Sequence, residues 1–232
     1  MDMEREKAEY TEVLRRFHHY LRPKTYLEIG TMSGTSLKIA KCASIAIDPG
    51  FELDQDVLAG KPSCLFFQMT SDAFFSMHSP TTLFGQPIEL AFLDGMHLAE
   101  FLLRDFMNVE THARRNSVII LHDCIPWNME MTSRMFQDGA WTGDVWKTVI
   151  ALKKYRPDIK IQALDAPPTG LIICTNLDPS SRLLEEKYHE ILDDMASLDL
   201  GILGVENFRK TLGVCGTELT NTFEGIARNY WL

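Results

Sequence analysis

A chain of 232 residues with a 45% hydrophobic share and a formal net charge of −9 has the length of one domain and enough apolar residues for a sizeable core. Its acidic balance, with no block of Lys and Arg, argues against nucleic acid or an anionic membrane as partner, and no apolar run approaches the roughly 20 residues that span a bilayer. The acidic start MDMEREKAEY is unlike a signal peptide, and five scattered cysteines (Cys42, Cys64, Cys124, Cys174, Cys215) without a C-x-x-C pair suit the reduced thiols of a cytoplasmic protein.

Residues 3–20 read as an amphipathic helix, with Tyr10, Val13, Leu14, Phe17 and Leu21 at helical spacing and Pro23 beyond its end. Short apolar strands then alternate with helices. TYLEIG (25–30) is a strand and GTSLKIAKCA (34–43) a helix. SIAID (44–48) and CLFFQM (64–69) are strands, and SDAFFSMH (71–78) is a short helix. IELAFLD (88–94) is a strand, 97–112 a helix, SVIILHD (117–123) a strand and 144–155 a helix. IKIQALD (159–165) and GLIICTN (170–176) are strands, and 181–197 is a helix. The alternation predicts an α/β fold with a largely parallel, doubly wound sheet covered on both faces. Only APPT (166–169) separates the last two strands, which suits an antiparallel hairpin rather than a crossover. The expected divisions are an N-terminal helix (1–22), a central domain (23–180) and a C-terminal helix and tail (181–232), the tail being a docked helix, a lid or a dimer arm.

In open α/β sheets, ligands bind beyond the carboxyl ends of the strands, where strand order reverses. The first strand runs into EIGTMSGTS, with Glu28, Gly30, Thr31, Ser33, Gly34 and Ser36. Its glycines permit a tight turn and a close backbone approach, and the helix expected next would aim free N–H groups at a ligand. The nicotinamide pattern G-x-G-x-x-G is not met, because Met32 and Thr35 take the places of its second and third glycines. The bland alternative is an ordinary strand-to-helix turn. Asp48 ends the second strand, where an acid can accept hydrogen bonds from both ribose hydroxyls or merely open the Pro49-Gly50 turn. Thr70, Ser71 and Asp72 follow the third strand and could meet an adenine edge or cap the next helix. The fourth and fifth strands deliver Asp94 with His97, and His122 with Asp123. Four such groups at adjacent strand ends suit a divalent metal, a general base, or both.

With these residues the sequence resembles class I S-adenosylmethionine-dependent methyltransferases over roughly residues 20–180. YLEIGTMSGTSL is similar to their first motif, IAIDPG to the second, and FLDGMH and VIILHD to the ends of strands four and five. The D-G-x-H form resembles a branch that includes metal-dependent sugar O-methyltransferases and cephalosporin-hydroxylase-like proteins. The resemblance implies a Rossmann-like, three-layer sheet of about seven strands, the last antiparallel. It implies S-adenosylmethionine held by Glu28, Gly30, Thr31, Ser33, Gly34, Ser36, Asp48, Asp72 and Asp94. It further implies His97 as general base, with His122 as a second base. Asp94, His122 and Asp123 would be ligands of a divalent ion such as magnesium or manganese. One position departs: His122 stands where the metal-dependent relatives carry Glu, and imidazole suits softer ions than magnesium. The acceptor would be a small-molecule hydroxyl of a sugar or natural product, with a homo-oligomer left open. Residues 128–147, rich in Met and Trp, either roof the acceptor site or form a helix packed on the sheet; Trp127, Trp141 and Trp146 are the candidates for stacking on an acceptor. The rival readings are a nucleotide-dependent oxidoreductase, a non-catalytic member that keeps the cofactor loop, and a cofactor-free metal hydrolase. The last would leave the glycine loop and Asp48 without a role.

Overall fold

Apolar runs too short for helices become the strands of the computed structural model, which describes residues 7–230. They are β1 (Thr25–Ile29), β2 (Ala43–Ile47), β3 (Cys64–Phe67), β4 (Ile88–Leu93), β5 (Ala113–His122), β6 (Lys160–Leu164) and β7 (Leu171–Thr175). The seven strands form one sheet in the order β3-β2-β1-β4-β5-β7-β6. Pairing is parallel from β3 to β5, and β7 runs antiparallel to both β5 and β6. The short 166–169 connection thus makes the expected hairpin, and strand order reverses between β1 and β4.

All five residues of β1 and β7 are buried, as sheet strands covered on both faces should be. The register sets Glu28, Phe92, Ile120 and Ile173 in a row on one face, against α1 (Tyr10–Leu21). Leu27, Ala91, Ile119 and Ile172 line the other, packed against α4 (Ala99–Thr111) and α5 (Trp146–Tyr155). The remaining helices are α2 (Ser71–Met77), α3 (Pro80–Phe84), α6 (Leu183–Glu186), α7 (Tyr188–Ser197), α8 (Leu200–Leu203), α9 (Val205–Leu212) and α10 (Phe223–Tyr230). α1 buries Val13, Leu14 and Phe17 and ends at Arg22 in the left-handed conformation, just before Pro23. Its expected start at residues 3–6 lies outside the described residues, and Lys7 to Glu9 precede the first turn.

Three expectations change. Residues 34–43 do not form a helix; only a single 3-10 turn, Leu37–Ile39, is present. The Lys61 ammonium donates to the carbonyls of Leu37 and Ala40, both at 2.7 Å, and so serves carbonyls that a longer helix would use internally. The helix expected over 181–197 is broken at Lys187 into α6 and α7. Residues 128–145 are irregular apart from the 3-10 turn Glu130–Thr132, and α5 starts at Trp146 rather than 144. In the tail, α10 lies on α1 and buries Ile226 and Tyr230, with the Phe17 and Tyr230 rings 5.2 Å apart. No helix among the described residues is long and apolar enough to cross a membrane.

Candidate active site

The carboxyl ends of β4 and β5 are neighbours, so Asp94 and His122 leave the sheet side by side. The His122 Nδ1 lies 3.0 Å from Asp94 Oδ1 and 3.3 Å from Asp123 Oδ2. Asp123 adopts a positive φ of 59°, which turns the chain abruptly off β5. The His97 Nε2 meets Asp123 Oδ2 at 3.0 Å and Asp94 Oδ1 at 3.6 Å. All four predicted groups therefore form one cluster. Each of Asp94, His97 and Asp123 offers a ligand atom within 4.8 Å of the others, a set that could hold a cation. His122 is outside that set; it hydrogen-bonds Asp94 and has its Nε2 3.4 Å from the Thr169 hydroxyl.

The electrostatics follow from pairing in a low-dielectric pocket. Burial alone would lower the pKa of His97, but the carboxylates of Asp123 and Asp94 outweigh it and raise the imidazole to about 10. His122 is likewise driven well above its ordinary value by Asp94 and Asp123 against the opposing effect of burial. Burial favours the neutral form of Asp123, yet His122 and His97 hold its carboxyl well below the usual range. Carboxylates and imidazoles thus favour one another's charged forms within the cluster. The His97 ring is fixed from behind: Nδ1 lies 2.9 Å from the Trp141 carbonyl, and the indole stacks on the imidazole at 4.7 Å. With Nδ1–H donating to that carbonyl, Nε2 faces two carboxylate oxygens. Only a proton or a cation makes that arrangement favourable.

The glycine loop reaches the same corner of the sheet. Gly30 has φ +84°, and a Cβ there would stand 1.9 Å from the Asp94 carbonyl oxygen, so the loop and the end of β4 are in direct contact. Asp48 at the end of β2 accepts from Met32 N at 2.8 Å and Gly50 N at 2.7 Å, which ties it to the loop. Ser33 and Thr35 share a hydrogen bond, and the backbone N–H groups of Thr31, Ser33, Thr35 and Ser36 have no acceptor among the described residues. Glu28 is fully buried beneath the loop. The Tyr26 hydroxyl donates to Oε2 at 2.5 Å, while Oε1 and the Thr31 hydroxyl lack hydrogen-bond partners. Burial pushes the Glu28 carboxyl up to about 7, against the opposing effect of the Tyr26 hydroxyl. Asp72 is not drawn into this group: its carboxylate forms a two-pronged ion pair with Arg104, at 2.9 and 2.7 Å. The cap of α2 is Thr70, whose hydroxyl accepts from Ala73 N.

Two site residues escaped the sequence reading. Tyr10 appeared there only as part of a helix stripe. Its ring sits 4.5 Å from that of His122 and stacks on Phe92 at 6.2 Å. Burial, followed by Asp94 and Glu28, pushes its phenol up to about 12, so it remains a protonated donor beside the cluster. Arg134 ties the 128–145 segment to α4 by pairing with Glu100 and Asp144, each at 2.6 Å. Asp144 in turn accepts from Ala99 N, the first residue of α4. Of the tryptophans, Trp141 lies on the cluster, Trp146 is buried against Phe208, and Trp127 is exposed. A Trp between two glycines, GAWTG, was the one sequence signal for this tie; Tyr10 carried none.

No family model matches the sequence, and no curated protein aligns with it significantly. The fold does match solved structures. The O-methyltransferase TomG of Streptomyces achromogenes, involved in tomaymycin synthesis and solved with SAM, superposes with a TM-score of 0.53 at 14% identity, covering 71% of this chain and 78% of that one. An O-methyltransferase of Bacillus cereus in complex with SAH gives 0.51 at 12% identity over 71% and 79% of the two chains. The SAH-bound methyltransferase PaMTH1 of Podospora anserina gives 0.52 at 14% over 72% and 78%. At these identities the likeness is one of architecture: the chain has the seven-stranded fold that these SAM- and SAH-bound methyltransferases share.

Proposed function

We propose that the protein is an S-adenosylmethionine-dependent O-methyltransferase that acts on a small-molecule hydroxyl. The observation that carries this reading is the meeting of the 30–36 loop with the Asp94, His97, His122 and Asp123 cluster at the point where strand order reverses. The loop fits the cofactor in two respects. Its unpaired N–H groups at Thr31, Ser33, Thr35 and Ser36 suit a carboxylate, and the unsatisfied Oε1 of buried Glu28 suits an ammonium. The methionine portion carries both. No full helix follows the loop, so backbone donors rather than a helix terminus would hold the carboxylate. Asp48 already accepts two backbone N–H groups and retains lone pairs for a ribose hydroxyl.

The sulfonium methyl is an activated electrophile. The protein has to align the acceptor oxygen, exclude water and take up one proton. His97 is the proton-handling group, at Nε2, and the Trp141 carbonyl at Nδ1 fixes its tautomer. As an imidazolium locked between Asp94 and Asp123 it cannot accept a proton near neutral pH. The Asp94 and Asp123 carboxylates of this cluster suit a divalent ion, and His97 keeps Nε2 for the proton when it stays outside the ligand set. Held at Asp94 and Asp123, such an ion would supply Lewis acidity and cancel the charge that keeps Nε2 protonated. His122 orients Asp94, and Tyr10 and Trp141 wall the site against water.

Calorimetric titration of S-adenosylhomocysteine, after EDTA treatment and again with magnesium or manganese, tests the reading. Saturable binding that weakens in Asp48→Ala supports it. Absence of binding under every condition, with NAD binding instead, would replace it by the oxidoreductase.

A further inference from the structure

Where residues 34–43 fail to form a helix, a groove of about 600 Å³ opens between the end of α1 and the 3-10 turn. Arg15, Arg22, Lys38 and Lys41 line it, together with His18 and His19, and no Asp or Glu does. In a chain of net charge −9 that is a local concentration of positive charge. Little of it is neutralised internally. Arg15 pairs with Glu12, but Lys38 meets only the Gln55 side-chain carbonyl at 2.6 Å and Lys41 only the Ala59 carbonyl at 2.8 Å. The side chains of Arg22 and His19 make no hydrogen bond or ion pair among the described residues. Lys61 adds a further charge behind the turn, through its bonds to Leu37 and Ala40.

The groove also holds an unsatisfied polar atom. His18 is held edge-on by Tyr26 at 4.8 Å, and its shielded Nε2 has no hydrogen-bond partner. Burial and the nearby Lys61 lower its pKa to about 3, so the ring is a neutral imidazole with one N–H to donate. A groove rich in donors and without a counter-charge fits an anion.

We propose that this groove binds a small polyphosphorylated molecule, with Arg22, Lys38 and Lys41 contacting the phosphates. Its volume falls in the range of small-molecule sites. Ile39, Pro23 and Cys42 offer apolar contact for the rest of such a ligand. The groove lies at the amino ends of β1 and β2, whereas Asp94 and His122 lie at carboxyl ends. A five-residue strand, roughly 17 Å long, separates the two edges. The site is therefore independent of the methyltransferase reading.

Inorganic tripolyphosphate titrated into the full chain by calorimetry is the test. Saturable, salt-sensitive binding is expected, weakened by about tenfold or more in Arg22→Gln/Lys41→Gln. Lys153→Gln/Lys210→Gln removes the same charge from exposed positions elsewhere and should change affinity by less than about twofold. S-adenosylhomocysteine binding, measured in parallel, should be the same in both variants. No saturable heat, or equal weakening in the two double variants, would overturn the proposal.

Discussion

Replacing Gly30 with alanine probes the contact between the glycine loop and the end of β4. A Cβ at this position would stand 1.9 Å from the Asp94 carbonyl oxygen and 2.3 Å from its carbon, and real Cβ contacts do not fall below 3.0 Å. The backbone of Asp94 must therefore retreat by about 1.1 Å, and backbone cannot rotate aside as a side chain can. A left-handed φ of +84° adds roughly 1–2 kcal/mol of strain and overpacking about 1–3 kcal/mol, so the loss is about 2–5 kcal/mol. Two other glycines calibrate it. At Gly85, also left-handed, a Cβ meets nothing within 4 Å, so strain acts alone. At Gly34 it meets Val57 Cγ1 at 2.4 Å, a side-chain atom that can shift. Urea unfolding followed by tryptophan fluorescence should order the variants Gly85→Ala, Gly34→Ala, Gly30→Ala from mildest to most severe. Each kcal/mol corresponds to a fall of roughly 2–4 °C in Tm for a chain of this size. Moving Asp94 by about 1 Å should also cut methyl transfer by about 100-fold. A Gly30→Ala protein as stable as Gly85→Ala would refute the argument.

Cation-free protein should show a stability contribution from His97 that is fully present below about pH 6.5 and lost as pH rises through its folded value of about 10; His97→Ala should flatten urea midpoints across that window. Glu28 has the same sign: its folded value of about 7 exceeds the ordinary 4.5, so stability falls as pH rises between them, and Glu28→Gln should be the more stable protein at pH 8. Glu110→Ala strips the buried Arg156 of its bonds at 2.6 and 2.9 Å and should cost about 3–5 kcal/mol in denaturant titration, less whatever Asp158 retains. Trp141→Ala preserves the backbone carbonyl behind His97 but removes the stacked ring; acceptor KM should rise about three- to tenfold with S-adenosylhomocysteine affinity unchanged, and an equal loss in both would place Trp141 on the cofactor instead.

The largely parallel sheet and its antiparallel final pairing were legible because the signals are local and redundant: near-continuous apolar strands, and a connection too short to cross over. The cluster at β4 and β5 was legible for a related reason, since a parallel sheet forces adjacent strands to end together. The failed helix after β1 shows what local reading lacks. Leu37, Ala40 and their neighbours have the composition of a helix, but Lys61, distant in sequence, takes their carbonyls. Arg104 was likewise invisible as the partner of Asp72. Tyr10 was hidden by its own pattern: a helix stripe looks the same whether it packs on Leu or covers a histidine.

Gly143 carries a consequence for how the protein can diverge. Its left-handed φ of +55° sets its Cα against the His97 backbone, where a Cβ would stand 1.7 Å from the carbonyl oxygen. The stretch from Trp141 to Asp144 thereby holds the histidine and the start of α4, whereas Met135 and Phe136 are exposed and Gly139 faces open space. Under the proposed function, a change of acceptor would be accommodated at 135–139, outside the Arg134 tie, while the far end of the same loop acts as a hinge-post. Under that reading, substrate range and turnover would rest on separate residues a few positions apart.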